Sequence, residues 1–245
     1  MKYQKGVFQY EGKAKKIYQV EGESDLLWLE FKDSLTAFNA QKKGSFADKG
    51  VINKKIAVLI FRYLQTKGIG SHLIADISDR ELVCRKLTII PLEVVVRNWL
   101  AGSTAKKFAI EEGTALEKPL VEFYYKKDEL NDPFVSDDQA LMLKAAKDQA
   151  QLDDLKEKAL KVNGALIEFF KAIGIRLIDF KIEFGVNSKG EVVLGDEITP
   201  DSCRLWDLET NEKLDKDRFR RDLGQVEESY QEVLNRMSQT WEKQL

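Results

Sequence analysis

The chain has 245 residues, 43% hydrophobic and 33% charged, which suits one large domain or two modest ones built on a real apolar core. Lys and Arg number 39 against 41 Asp and Glu, and a net charge of -2 gives no support for broad nucleic-acid or membrane-surface binding. Two cysteines without a CxxC pair, Cys84 and Cys203, argue against a disulfide scaffold or a zinc site, and the single histidine, His72, lies in the apolar run SHLIADI and reads as structural.

From the N-terminus, MKYQKGVFQYEGKAKK lacks the apolar core of a signal peptide, and no apolar run approaches ~18 residues, so a cytoplasmic location is expected. GVFQY and KKIYQV flank EGKAK, and DLLWLEF follows a turn at Gly22–Asp25, which predicts a β-meander. Ile56, Leu59, Ile60, Tyr63 and Leu64 predict a buried helix over 53–67, capped by Asn53 and ended by Gly68. HLIADI and ELVCR form a second hairpin around Ser78–Arg80. LTIIPLEVVVRNWL is a long β-rich run that Pro91 should bend or push to an edge. GSTAKKFAIEEG reads as a short helix between glycines, and 126–138 as an exposed charged loop. A long helix is predicted over 148–173, with Leu152, Leu155, Ala159, Val162, Leu166, Phe169, Phe170 and Ile173 inward. A last helix carries Phe219, Leu223, Val226, Tyr230, Val233, Leu234 and Met237 on one face. Helices and strands mix without a βαβ rhythm, so the class is α+β, with a boundary expected between residues 85 and 86.

Four motifs carry chemistry. YEGKAKKIY places Gly12, Lys13, Ala14 and Lys15 in a tight turn that reads either as a solvated hairpin or as a phosphate-approaching turn. In VVVRNWLAGS, Arg97 leaves an apolar strand near the start of a helix. Two readings stay open: an anion grip shared with Ser103, or an arginine paired with a carboxylate and Ser103 as N-cap. In DFKIEFG, Ile178, Phe180, Ile182 and Phe184 take one face while Asp179, Lys181 and Glu183 take the other. A two- or four-residue turn after it would set Asp196 of VVLGDEITPD on the charged face. The carboxylates could then share a magnesium ion with phosphate oxygens; the alternative is a solvated ladder of ion pairs. In TPDSCRLWD, a loop after Pro200 carries Arg204 between Asp201 and Asp207, for substrate or for a local ion pair. A set of anion-binding bases beside one acidic metal candidate, without histidine or cysteine machinery, suits phosphoryl transfer.

YEGKAKKIY, PLEVVVRNWLAGS, DFKIEFG, LGDEITPD, SCRLWD and LDKDRFRRDLG, in this order, resemble the phosphoribosylaminoimidazole-succinocarboxamide synthase (SAICAR synthetase) family over nearly the whole chain. The resemblance implies a two-lobed α+β fold related to ATP-grasp enzymes, with ATP between the lobes. It also implies an ATP- and Mg²⁺-dependent ligase that joins L-aspartate to carboxyaminoimidazole ribonucleotide through an acyl phosphate, and a possible homodimer. Position by position, Gly12, Lys13, Ala14 and Lys15 look like the turn over the ATP phosphates, and Arg85, Lys86 and Leu87 like the adenine border. Glu183 and Asp196 look like magnesium ligands with Asp179 beside them and Lys181 near substrate carboxylates; Lys181, Asp179 and Lys13 are the candidate catalytic groups. Arg97, Ser103 and Arg204 look like the ribonucleotide grip, with Lys126 a further substrate-side lysine. Two departures are Ala40, where the pattern expects glycine, and Asn131, where some members carry histidine. A small-molecule kinase on the same scaffold and a catalytically silent nucleotide-binding regulator are the rival readings.

Overall fold

The computed structural model describes residues 2–38 and 40–245. They form two compact units, one comprising 2–38, 40–88, 185–195 and 218–245 and the other 89–184 and 196–217. The sequence reading placed one boundary between residues 85 and 86; the first unit runs on to Thr88 and also takes in two later segments.

In the first unit, β1 (Lys5–Glu11), β2 (Lys15–Val20) and β3 (Glu23–Phe31) form the predicted antiparallel meander. After the short pair β4 (Ser34–Ala37) and β5 (Lys42–Ser45) comes α1 (Lys49–Thr66), then the hairpin β6 (Leu73–Asp76) and β7 (Glu81–Arg85). The sheet order is β1-β2-β3-β7-β6. Period-two alternation puts Ile17, Leu29, Phe31, Leu82 and Cys84 on the face that meets Val58 of α1, and Val20, Trp28 and Val83 on the other. Gly68, at φ +74°, ends α1 as expected. The start differs: α1 opens at Lys49, and Asn53 is buried inside the helix rather than capping it. The capping acceptor comes from Asp33, whose Oδ1 takes the Gly50 N–H at 2.9 Å and an Arg80 N–H at 2.6 Å. A cap supplied by a distant segment leaves no mark in the local sequence.

Ala40 adopts φ +62°, the left-handed region that the family pattern's glycine would enter without strain. Ala40→Gly is therefore expected to stabilise the protein by about 0.5–1 kcal/mol, read as a shift in urea midpoint. An unchanged or lower midpoint would contradict the strain argument.

The second unit begins on β8 (Thr88–Trp99) and continues through α2 (Gly102–Lys107), β9 (Ala115–Tyr125), β10 (Phe134–Val135), α3 (Asp137–Met142), α4 (Gln149–Lys171) and β11 (Ile175–Val186). Residues 185–195 return to the first unit and hold β12 (Val192–Gly195), whose Leu194 carbonyl accepts the His72 N–H at 2.8 Å. The second unit resumes with β13 (Cys203–Asp207), and the chain closes the first unit with α5 (Asp217–Arg220) and α6 (Val226–Trp241).

Within the second unit the strands run β10-β9-β8-β11, with β13 antiparallel to β11. Strand β8 is thus internal, and Pro91 is accommodated near its start rather than at a sheet edge. Helix α4 matches its prediction closely: Asp148 caps it by accepting the Gln151 N–H at 2.9 Å, and every residue assigned to the inward face is buried. The 126–138 segment is less loop-like than expected. It contains a 3-10 turn at Asp128–Leu130, with Asn131 left-handed at φ +58°, and the edge strand β10. The predicted last helix is broken: Phe219 sits on α5, Leu223 is exposed, and the apolar face of α6 runs from Tyr230 through Val233 and Leu234 to Met237.

Candidate active site

Strand β11 is buried on both sides. Its apolar side chains Ile178, Phe180, Ile182 and Phe184 are buried as expected, but Asp179 and Glu183 on the opposite face are only 4% and 3% exposed. Charges at such depth must be paired. The Lys181 ammonium meets Glu183 Oε1 at 2.7 Å, Glu93 Oε1 of β8 at 3.1 Å and Asp196 Oδ2 at 3.3 Å. Lys126 pairs with the second oxygen of Glu183. Burial alone would lower the Lys181 pKa, but Glu183, Asp196 and Glu93 outweigh it and hold the group well above the ordinary lysine range. Lys181 is therefore a fixed positive charge, not a proton acceptor.

Asp196 reaches this cluster by a route that regular strand pairing does not provide. The turn after β11 has three residues, not two or four: Asn187 donates to Glu191 O at 3.0 Å, and Gly190, at φ +81°, donates to Asn187 O at 3.0 Å. Counted back from that pair, unbroken alternation would turn Asp196 to the apolar face. A left-handed backbone at Asp196, φ +57°, ends the alternation and lets its carboxylate meet Lys181.

Three carboxylates thus face two ammonium groups, which leaves one net negative charge. Among the described residues no three Asp, Glu, His or Cys side chains converge as an all-protein metal cage. A magnesium ion needs no such cage, because one or two carboxylates with phosphate oxygens and water suffice. Glu183 and Asp196 fit that requirement.

A second network lies on the same strand. Asp179 Oδ2 accepts from Arg97 at 2.7 Å and from Arg204 at 2.8 Å. Arg97, 4% exposed, also donates to Glu122 Oε2 at 2.6 Å and to the Tyr124 hydroxyl at 3.2 Å. Arg204 donates from Nε to Asp217 Oδ2 at 3.0 Å. The carboxylate-paired geometry that remained open for both arginines is present, although the neighbours expected for Arg204, Asp201 and Asp207, are not its partners. Arg204 also lies on a strand, β13, directly paired with Asp179, rather than in a loop. Burial, reinforced by Asp217, pushes the Asp215 carboxyl up to about 7 against two backbone N–H donors, Leu205 and Asp217.

Ser103 is exposed on α2 and does not cap it; the cap position is Ala101, without a side-chain bond. Gly102 before it is left-handed at φ +62°, and a Cβ there would lie 2.3 Å from Arg204 Nη2. Glu93, Glu122 and Asp217 were not singled out from the sequence. Glu93 and Glu122 did carry a mark: each is a lone carboxylate in an apolar strand, IIPLEVVV and PLVEFYY.

The remaining motif residues lie in the first unit. The β1–β2 turn is closed by Gly12 N–H to Lys15 O at 2.8 Å, and its carbonyls are held by Lys32 Nζ on Gly12 O at 3.1 Å and Ser34 Oγ on Lys13 O at 2.6 Å. Gly12 and Lys13 are exposed, while Ala14 and Lys15 are half-buried. Arg85 ends β7, and Lys86 and Leu87 link it to β8; the Lys86 N–H donates to Asp25 O at 2.8 Å. Neither cysteine is a candidate nucleophile: both are buried, and burial pushes the Cys84 thiol up to about 12.

The SAICAR synthetase family model matches residues 8–237. A phosphoribosylaminoimidazole-succinocarboxamide synthase of Halalkalibacterium halodurans is 54% identical over 230 residues, covering 94% of this chain and 96% of the relative. The chain belongs to the SAICAR synthetase family. Solved SAICAR synthetase structures share its fold: the Ehrlichia chaffeensis enzyme has a TM-score of 0.90 at 44% identity, over 94% of this chain and 98% of that one. A SAICAR synthetase in complex with ADP also gives 0.90 at 44% identity, over 95% and 98%. Among the described residues no helix is long and apolar enough to cross a membrane.

Proposed function

We propose that this chain is an ATP-dependent carbon–nitrogen ligase that joins L-aspartate to carboxyaminoimidazole ribonucleotide, releasing SAICAR, ADP and phosphate. The observation that carries the reading is the 54% identity over 94% of the chain to a synthase of that name. The solved family member that holds ADP supports nucleotide use. A homodimer and a cytoplasmic location belong to the same reading.

In this reading the ribonucleotide carboxylate attacks the γ-phosphorus of ATP, and the bond to ADP breaks to leave an acyl phosphate. The aspartate amine then forms the C–N bond, losing a proton as phosphate departs with the C–O bonding electrons. Glu183 and Asp196 would hold a magnesium ion, which would supply charge neutralisation for the phosphoryl group. Lys181, permanently charged, offsets negative charge at the reacting carboxylate. Lys126 contributes a second ammonium on the substrate side. Arg97 and Arg204 form the basic side of the ribonucleotide grip, with Ser103 beside them. Gly12, Lys13, Ala14 and Lys15 lie against the ATP phosphates, and Arg85, Lys86 and Leu87 border the adenine.

ADP release from purified protein given ATP, Mg²⁺, the ribonucleotide and aspartate tests the activity. Equally fast release without aspartate would favour a kinase, and no release in any combination would favour the silent regulator. The lysine turn has its own test. A Cβ at Gly12 would meet nothing closer than Lys15 O at 3.7 Å, an ordinary contact. Gly12→Ala should therefore keep its unfolding midpoint but raise KM for ATP about tenfold, because the added methyl obstructs the close approach of phosphate. An unchanged KM would remove the turn from the nucleotide site.

A further inference from the structure

The Arg204 guanidinium is held more elaborately than an ion pair requires. Its Nε donates to Asp217 and Nη1 to Asp179, so two carboxylates grip two edges of the planar group. The third edge, Nη2, lies so close to Gly102 that no side chain fits there. Asp217 is 1% exposed, and its own backbone is tied: its N–H donates to Asp215 Oδ1 at 2.7 Å. The other oxygen of Asp215 accepts the N–H of Leu205, the residue after Arg204, at 2.8 Å. Leu214 N–H adds a backbone bond to Leu205 O at 2.8 Å. One fully buried carboxylate thus fixes both chain positions that define the Arg204–Asp217 pair.

Buried ion networks contribute little net stability compared with well-packed apolar groups, so stability alone does not account for this arrangement. Orientation does. A long arginine side chain on a strand has many rotamers, and a planar group must be aimed before it can meet an anion with two parallel N–H bonds. Asp217 and Asp179 remove that freedom, and Gly102 opens the space into which the Nη2 edge is aimed.

We propose that Asp217, braced by Asp215, is a positioning residue that aims Arg204 at the ribonucleotide. It rests on the reading of Arg204 as a substrate-binding group. Asp217 itself touches no substrate; it acts through the arginine.

The test compares Asp217→Ala, Asp217→Asn and Arg204→Ala in steady-state assays with each of the three substrates varied, alongside unfolding midpoints. Asp217→Ala is expected to raise KM for the ribonucleotide about a hundredfold, the penalty of a misaimed contact, with KM for ATP unchanged. Asp217→Asn keeps an acceptor for Nε and should recover roughly tenfold of that loss, a rescue that a purely structural role would not give. If Asp217→Ala does not fold, Asp217→Asn carries the measurement, with an expected rise of about tenfold over the parent. Equal KM values for Asp217→Asn and the parent, or parallel losses for all three substrates, would overturn the proposal. If Arg204→Ala binds the ribonucleotide normally, the substrate role of Arg204 fails and the positioning role falls with it. A defect in Arg204→Ala without one in either Asp217 variant would defeat the positioning role alone.

Discussion

Asp196→Asn is expected to lower kcat/KM for Mg²⁺-ATP by about two to three orders of magnitude, the scale on which a single preorganised charge acts. Its unfolding free energy should fall by no more than about 1 kcal/mol, the range for losing one part-exposed ion pair. Asparagine has the same size as aspartate and tolerates the left-handed backbone that position 196 adopts at φ +57°. Lys181 keeps its shorter contacts to Glu183 and Glu93. What changes is charge: three carboxylates against two ammonium groups become two against two, and the local attraction for a divalent cation is lost. Titrating Mg²⁺ against initial ADP release would read the effect directly. Turnover close to the parent at low millimolar Mg²⁺ would remove Asp196 from the metal site. Glu183→Gln makes a poorer test, because Glu183 is buried and both its oxygens hold ammonium groups. It should lose activity and also about 1–3 kcal/mol of stability.

How far the sequence could be read depended on whether a residue's partner was local. The alternation in DFKIEFG correctly assigned both faces of β11, because period two is a property of the strand itself. Burial of the charged face was not readable there, since its cover comes from Glu93, Lys126, Arg97 and Arg204, each more than 20 residues away. The position of Asp196 shows a sharper limit. A turn of two or four residues and a turn of three place it on opposite faces, and only the left-handed break at Asp196 brings it back. The expected outcome was met by a different path. Pro200 signals a loop over Arg204, yet pairing with β11 makes its segment a strand. Residues 115–125 received no element, and Pro119 in their middle hides β9 from any local rule. Family motifs supplied the chemistry that these local patterns leave open.

Asp179→Ala is expected to destabilise the protein by about 3–5 kcal/mol, the range for removing one member of a buried ionic network. The sequence made Asp179 a candidate catalytic carboxylate, and its surroundings favour another part. One oxygen, Oδ2, accepts from two guanidinium groups at 2.7 and 2.8 Å, and its side chain is almost fully buried. Its removal leaves Arg97 with Glu122 and Tyr124, and Arg204 with Asp217. Each arginine then loses one charge-assisted bond, worth roughly 1.5–3 kcal/mol. The two positive groups also lose the negative charge that separates them, so they repel across the gap. Urea unfolding of parent and variant measures the stability loss, and ribonucleotide KM reports whether the arginines have moved. Together they distinguish two roles. A large drop in midpoint with a raised ribonucleotide KM marks Asp179 as the brace between Arg97 and Arg204. An unchanged midpoint with kcat reduced about a thousandfold would instead make it a carboxylate that acts on the reacting substrate, as the sequence reading had it.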